Sequence, residues 1–201
     1  MNTTVETLYF PAPSVNESEI LRYAGCREAD GATLALLHEC MEESQNRFSY
    51  RVCFCELPVR IEGELCDFGS FSLSSYHLSQ NLHGCQSALV FGATVGMEID
   101  RLIARYGSLS PAKALMLQAI GAERIEALCD VFCQSAASDR QVSLKPRFSP
   151  GYGDLPTAIQ PTLFALLDCS KKIGLCLNDS LMMSPSKSVT AFVGIKDANS
   201  K

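Results

Sequence analysis

Arg147–Ile195 reads "RFSPGYGDLPTAIQPTLFALLDCSKKIGLCLNDSLMMSPSKSVTAFVGI". Its first ten residues, Arg147–Pro156, hold two glycines, two prolines, an arginine and a tyrosine. Pro146 and Pro150 restrict the backbone on either side of "RFS". Gly151 and Gly153 permit positive φ and let a ligand approach the main chain closely. Arg147 offers a planar fork for a carboxylate or phosphate, and Tyr152 a ring and a hydroxyl. Asp154 can cap the helix that follows. That helix, "QPTLFALLDCSKKIG", has Pro161 near its start and Gly174 at its end. A loop and a strand come next, with Val189, Ala191, Val193 and Ile195 on one face. Two readings of the loop stand on chemistry alone. It presents backbone groups and one cation to a small anionic or zwitterionic ligand, or it merely connects two helices.

Upstream, Glu17–Tyr23 and Ala29–Ser44 carry helical periodicity, the second with Leu34, Leu37 and Met41 on its apolar face. In "RFSYRVCFCELPVRI", Phe48, Tyr50, Val52 and Phe54 alternate with their neighbours, which is strand spacing. "LCDFGSFSL" is a second strand candidate, and "SSYHLSQNLHG" a short helix ending at Gly84. "CQSALVFGATVG" reads as a buried strand entering a glycine turn, and "MEIDRLIARYG" as a helix closed by Gly107. Ser110 as N-cap and Pro111 at the first helical position open a long apolar helix with a possible bend at Gly121. Strands and helices mix without a regular βαβ series, and no repeat or low-complexity linker interrupts them. The expectation is one α+β domain over residues 1–201, a mostly antiparallel twisted sheet with flanking helices, frayed near 1–14 and 197–201.

The bulk numbers exclude several classes. The 201 residues are 47% hydrophobic, enough for a sizeable core. Net charge is −5, and no run of Lys or Arg offers a nucleic-acid footprint. The longest near-continuous apolar stretch is about ten residues, against the roughly 20 of a membrane span. The N-terminus has neither a basic start nor a long hydrophobic region, so no signal peptide is expected, and the location expected is cytoplasmic. Ten cysteines are then expected as reduced thiols. Cys53 and Cys55 share a sheet face, and Cys129 and Cys133 a helix face, but no CxxC or His-bearing zinc spacing occurs. They read as small core hydrophobes, with no metal.

Other chemistry is thin. The turn with Gly92 and Gly96 precedes a helix but is neither GxGxxG nor a P-loop. His38, His77 and His83 fall in no metal-binding pattern, and no GxSxG elbow is present. No catalytic residue is assigned.

Specific spacings then carry a resemblance. Arg147, Gly151 and Tyr152 form R-x-x-x-G-Y, followed after a helix by Leu177, Ser180, Met183, Pro185, Ser188 and Val189 as L-x-x-S-x-x-M-x-P…SV. Over about fifty residues this resembles the C-terminal activation (reactivation) domain of cobalamin-dependent methionine synthase. The helix "AERIEALCDVF" resembles the one that precedes that signature. The first half, "RYAGCR" through "VFGATVG", resembles stand-alone members without catalytic or cobalamin modules.

The resemblance implies binding of S-adenosylmethionine. Arg147 would hold the ligand carboxylate and Glu126 its ammonium. Ser149, Pro150, Gly151 and Tyr152 would shape the pocket. The family's early acidic ligand has no clear counterpart, and neither does the aromatic contact after the last strand. The implied partner is a methionine synthase lacking its own activation domain and carrying the cobalamin, with a flavodoxin-like or ferredoxin-like electron donor. The implied role is support of cob(II)alamin remethylation, with no complete active site on this chain. The alternatives are a ligand-independent docking or chaperone protein for a corrinoid methyltransferase, and a self-sufficient methyltransferase. The last lacks its usual strand–GxGxG–helix.

Overall fold

A strand that the sequence reading leaves in the frayed end begins the fold. The computed structural model describes residues 4–26 and 28–196. Within them β1 (Glu6–Phe10) lies antiparallel to β2 (Tyr50–Pro58), so the expected N-terminal fraying gives way to an edge strand. Thr7, Tyr9 and Phe10 have high strand propensity, but five residues followed by Pro11 give little periodicity to read. The outermost residues, 1–3 and 197–201, lie outside the described ones, and with them the rest of the fraying expectation.

The main sheet has five strands in the order β1-β2-β6-β10-β7, with β6 at Ser87–Thr94, β10 at Ser188–Lys196 and β7 at Ser143–Leu144. Every pairing in it is antiparallel. Beside it, β3 (Arg60–Glu62), β4 (Leu65–Asp67) and β5 (Ser72–Ser74) form a small antiparallel sheet, so "LCDFGSFSL" folds as a hairpin. A last hairpin joins β8 (Cys176–Leu177) to β9 (Met183–Ser184).

Helices cover both faces. The central strands are therefore apolar on both sides, and the simple alternation of an exposed sheet is lost. On one face lie α1 (Glu17–Tyr23), α2 (Gly31–Ser44), α4 (Glu98–Leu109) and α5 (Pro111–Arg140). Tyr50, Val52 and Phe54 of β2 point to this side, with Ala191, Val193 and Ile195 of β10. On the other lie α3 (Tyr76–Leu82), α6 (Gln160–Leu167) and α7 (Cys169–Ile173). Cys53, Cys55 and Leu57 point there with Val90 and Phe192.

The 30-residue α5 organises the first face. Its Phe132 is fully buried against Phe91, Phe54 and Phe10 of three successive strands, ring centroids 4.8, 5.2 and 6.5 Å away. Gly121 marks a close approach within a continuous helix: a Cβ there would sit 3.0 Å from the Lys187 stem. Gly107, expected to close α4, lies inside it. The helix expected over 160–174 is two, because Asp168 adopts a left-handed conformation (φ 49°).

The N-terminal connector is fastened to α5 by a buried ion pair. Arg124 donates to both carboxylate oxygens of Glu123, and then to the Pro13 and Ser14 carbonyls at 2.7 Å each. Glu123 also accepts from the Asn16 amide at 3.0 Å. Both charges are satisfied by several hydrogen bonds, which burial of this kind requires. The pair pins Pro13–Asn16 and sets α1 against α5.

Candidate functional site

Arg147 reaches α5 because of a bulge. Lys145 N–H donates to the Gly194 carbonyl, and Phe148 exchanges both backbone bonds with Phe192. Two residues, Pro146 and Arg147, therefore stand opposite one, Val193. Such an insertion re-aims side chains beside functional sites. Pro146 needs no donor there. Phe148 joins the core on the α3/α6 side, while Arg147 turns the other way.

It meets Glu126 and Asp130, which lie one helical turn apart on α5. One terminal nitrogen of Arg147 donates to Glu126 Oε2 at 2.7 Å, and the other to Asp130 Oδ1. Burial alone would lower the Arg147 pKa. Hydrogen bonding to Asp130 and the charges of both acids outweigh it and hold the guanidinium above its ordinary value. Behind them, burial pushes up the thiols of Cys129 and Cys133, opposed at both by Arg147.

Arg147, Glu126 and Asp130 line one cleft of about 950 Å³ with Cys133, Gln134, Ala137, Val189 and the loop residues Ser149, Pro150, Gly151 and Tyr152. All six expected site residues therefore share one cavity. Asp130 was not among them, although its i+4 spacing from Glu126 was readable. The cleft adjoins a second hollow along α5, walled by Asn16, Glu19 and Tyr23 and sharing Glu126, Asp130 and Gln134.

The loop itself is internally bonded. Gly151 N–H donates to the Leu155 carbonyl, Tyr152 N–H to Ser149 and Leu155 N–H to Tyr152. Gly151 is required by its φ of 96°, since a Cβ would meet only Thr157 at 3.6 Å. Gly153 is different: at φ 53° a Cβ would lie 2.8 Å from His77 Nδ1, so it serves packing on α3. Asp154 caps α3, a helix far earlier in sequence, and not the next one. It accepts from Ser75 Oγ and the Tyr76 amide at 2.6 Å each, and from the His77 amide at 3.2 Å. The Ser75 bond is the largest influence holding its carboxyl well below the usual range. Tyr152 stays exposed, its ring 6.2 Å from that of Phe148.

Of the other candidates, Gly92 serves packing: a Cβ would meet Cys169 Sγ at 3.2 Å and Cys53 Sγ at 3.5 Å. Cys26, Cys40, Cys53, Cys55, Cys66, Cys129, Cys133, Cys169 and Cys176 are free thiols, and no cluster of three or more His, Cys, Asp or Glu suits a metal among the described residues. No described helix is long and apolar enough to cross a membrane.

A family model described as "Vitamin B12 dependent methionine synthase, activation domain" matches residues 144–200, the segment that supplies the bulge, the loop and β10. Among solved structures, the chain is similar to the MetH reactivation domain bound to AdoHcy. The TM-score is 0.69 at 14% identity, covering 98% of this chain and 80% of that one. No curated protein matches. The chain is thus activation-domain-like: the likeness of fold runs through nearly all of it, and the family pattern through its C-terminal quarter.

Proposed function

We propose that this chain binds S-adenosylmethionine in the α5–loop cleft and serves as the activation subunit of a separate cobalamin-dependent methionine synthase. The observation that carries the reading is Arg147, set by the bulge into a roomy cleft opposite two carboxylates. An amino-acid zwitterion needs one cation for its carboxylate and one anion for its ammonium. Arg147 and Glu126 supply them. The similar MetH reactivation domain holds AdoHcy, the demethylated form of this ligand, which supports the same ligand class here.

Cobalamin on the partner supplies the methyl acceptor, reduced by one electron from a flavodoxin-like or ferredoxin-like donor. This chain's part is to fix the amino-acid end of the ligand and to orient its methyl group toward the partner. Exposed Tyr152 stands at the mouth, where ligand and partner would meet. No side chain needs to move a proton.

The test is equilibrium binding of labelled S-adenosylmethionine, with circular dichroism as folding control. The parent binds saturably. Arg147→Ala removes a charge-assisted contact worth roughly 1.5–3 kcal/mol, so affinity falls about 10- to 150-fold. Arg147→Lys recovers part of that loss, because it keeps the charge without the planar fork. If the parent binds no ligand yet docks on the synthase, the docking-protein reading replaces this one.

A further inference from the structure

The strongest feature that the proposed binding role leaves unused is the second acid on Arg147. One carboxylate suffices to neutralise a guanidinium and to receive an ammonium. Here Glu126 and Asp130 each occupy a terminal nitrogen of the same fork. The cluster therefore carries one excess negative charge. Among the described residues no other cation forms an ion pair with either acid. Glu123 is consumed by Arg124, and Glu19 pairs with Arg22. Lys145 also lines the cleft, but its stem packs at Gly194 together with Leu82 and Cys85, on the α3 side of β10.

We propose that Asp130 is a specificity-determining residue. In the free protein it holds the Arg147 fork; when a ligand carboxylate takes the fork, Asp130 is released to face a second positive charge on the ligand. The inference rests on the S-adenosylmethionine reading and goes beyond it by assigning selectivity between the charged sulfonium and the neutral thioether left after methyl loss.

The charge count carries the argument. S-adenosylmethionine brings a carboxylate, an ammonium and a sulfonium, which leave the occupied cluster neutral. S-adenosylhomocysteine lacks the sulfonium charge, so one carboxylate stays uncompensated. The three paired charges differ in exposure: the Arg147 side chain is 24% accessible, Glu126 44% and Asp130 61%. Arg147 is the fixed anchor, and Asp130 is the acid freest to swing. Its separation from Glu126 by one turn lets the two acids follow two cationic centres along the ligand. The consequence is release of product: once the methyl group leaves, the ligand loses the charge that Asp130 faces.

The test compares binding of S-adenosylmethionine and S-adenosylhomocysteine to the full chain and to Asp130→Asn by calorimetry. Because Asp130 is largely solvated, the parent's preference for the sulfonium should shrink roughly two- to fivefold in the variant. That loss should come from weaker S-adenosylmethionine binding, while S-adenosylhomocysteine binds equally or better because a competitor for Arg147 is gone. On the unmodified chain, the preference should also narrow between low and high salt. Equal weakening of both ligands, or an unchanged ratio, overturns the selectivity role and leaves the binding reading intact. Failure of the parent to bind either ligand overturns the binding reading, and this inference with it.

Discussion

Gly153 and Gly151 stand two residues apart and share one reason to be glycine, to which Gly153 adds a second. At Gly151 the reason is backbone conformation alone; at Gly153 it is also the imidazole of His77. Alanine at either position is strained by about 1–3 kcal/mol. Gly153→Ala adds a clash and should destabilise more than Gly151→Ala, as read from urea midpoints. The reverse order would mean that His77 yields freely. The sequence made both glycines legible as turn residues, but nothing in it placed His77, on a helix some seventy residues earlier, against one of them. Titration offers another check at this scale. Burial raises the thiols of Cys40, Cys55 and Cys66 to about 11. Unfolded, they ionise near the usual thiol value of roughly 8.5. Between those limits the unfolded chain binds fewer protons than the native one, so stability falls as pH rises. Asp154 acts at the other end: its depressed pKa stabilises above about pH 4 and is lost as pH falls further. Thermal melts should therefore be flat near neutrality and decline above about pH 9 and below about pH 4. A flat profile from neutrality to pH 11 would contradict the burial of the three thiols.

At the scale of elements, α5 joins core and site. Its Phe132 fastens it to three strands, and its Glu126 and Asp130 face the cleft less than two turns away. Phe132→Ala should cost about 3–5 kcal/mol through lost burial and a cavity. The Glu123–Arg124 pair was not legible, because adjacent charges on a helix ordinarily face solvent. Pro13–Asn16 folds over it, and that segment has no periodicity of its own. Arg124→Met leaves Glu123 buried without its cation and should cost roughly 3–5 kcal/mol. The Asn16 amide should also exchange faster with deuterium, since its acceptor becomes misplaced. Replacing both residues by apolar ones of similar size should recover much of the stability without restoring the connector's anchoring. If Arg124→Met leaves stability and Asn16 exchange unchanged, the connector is held by other contacts.

For the whole molecule, both-sided burial of one antiparallel sheet explains what the sequence could and could not yield. The strands with apolar runs, β2, β6 and β10, were readable, as were most helices. The two-residue strand β7 and the bulge after it were not, since pairing to β10 defines them and no local pattern does. The loop's tight backbone control and lone arginine were legible as local properties, but they left a ligand role and a connecting role equally open until the family resemblance decided between them. The remaining prediction belongs to the assembly. On the proposed reading the activating chain is separate from the synthase and gains no effective concentration from a tether. Reactivation of an oxidised synthase that lacks its own activation domain should therefore rise with the concentration of this chain and saturate. It should require S-adenosylmethionine and a one-electron donor. Tyr152→Ala, at the cleft mouth, should raise the concentration needed for half-maximal reactivation if the ring touches the partner. The same variant should weaken S-adenosylmethionine binding to the isolated chain far less than Arg147→Ala does, because Tyr152 only lines the cleft while Arg147 and Glu126 hold the charged end. The measurement is the rate of methionine formation by the reconstituted pair at several concentrations of this chain. Reactivation independent of its concentration, or equal rates without it, would show that the chain is not the activating component.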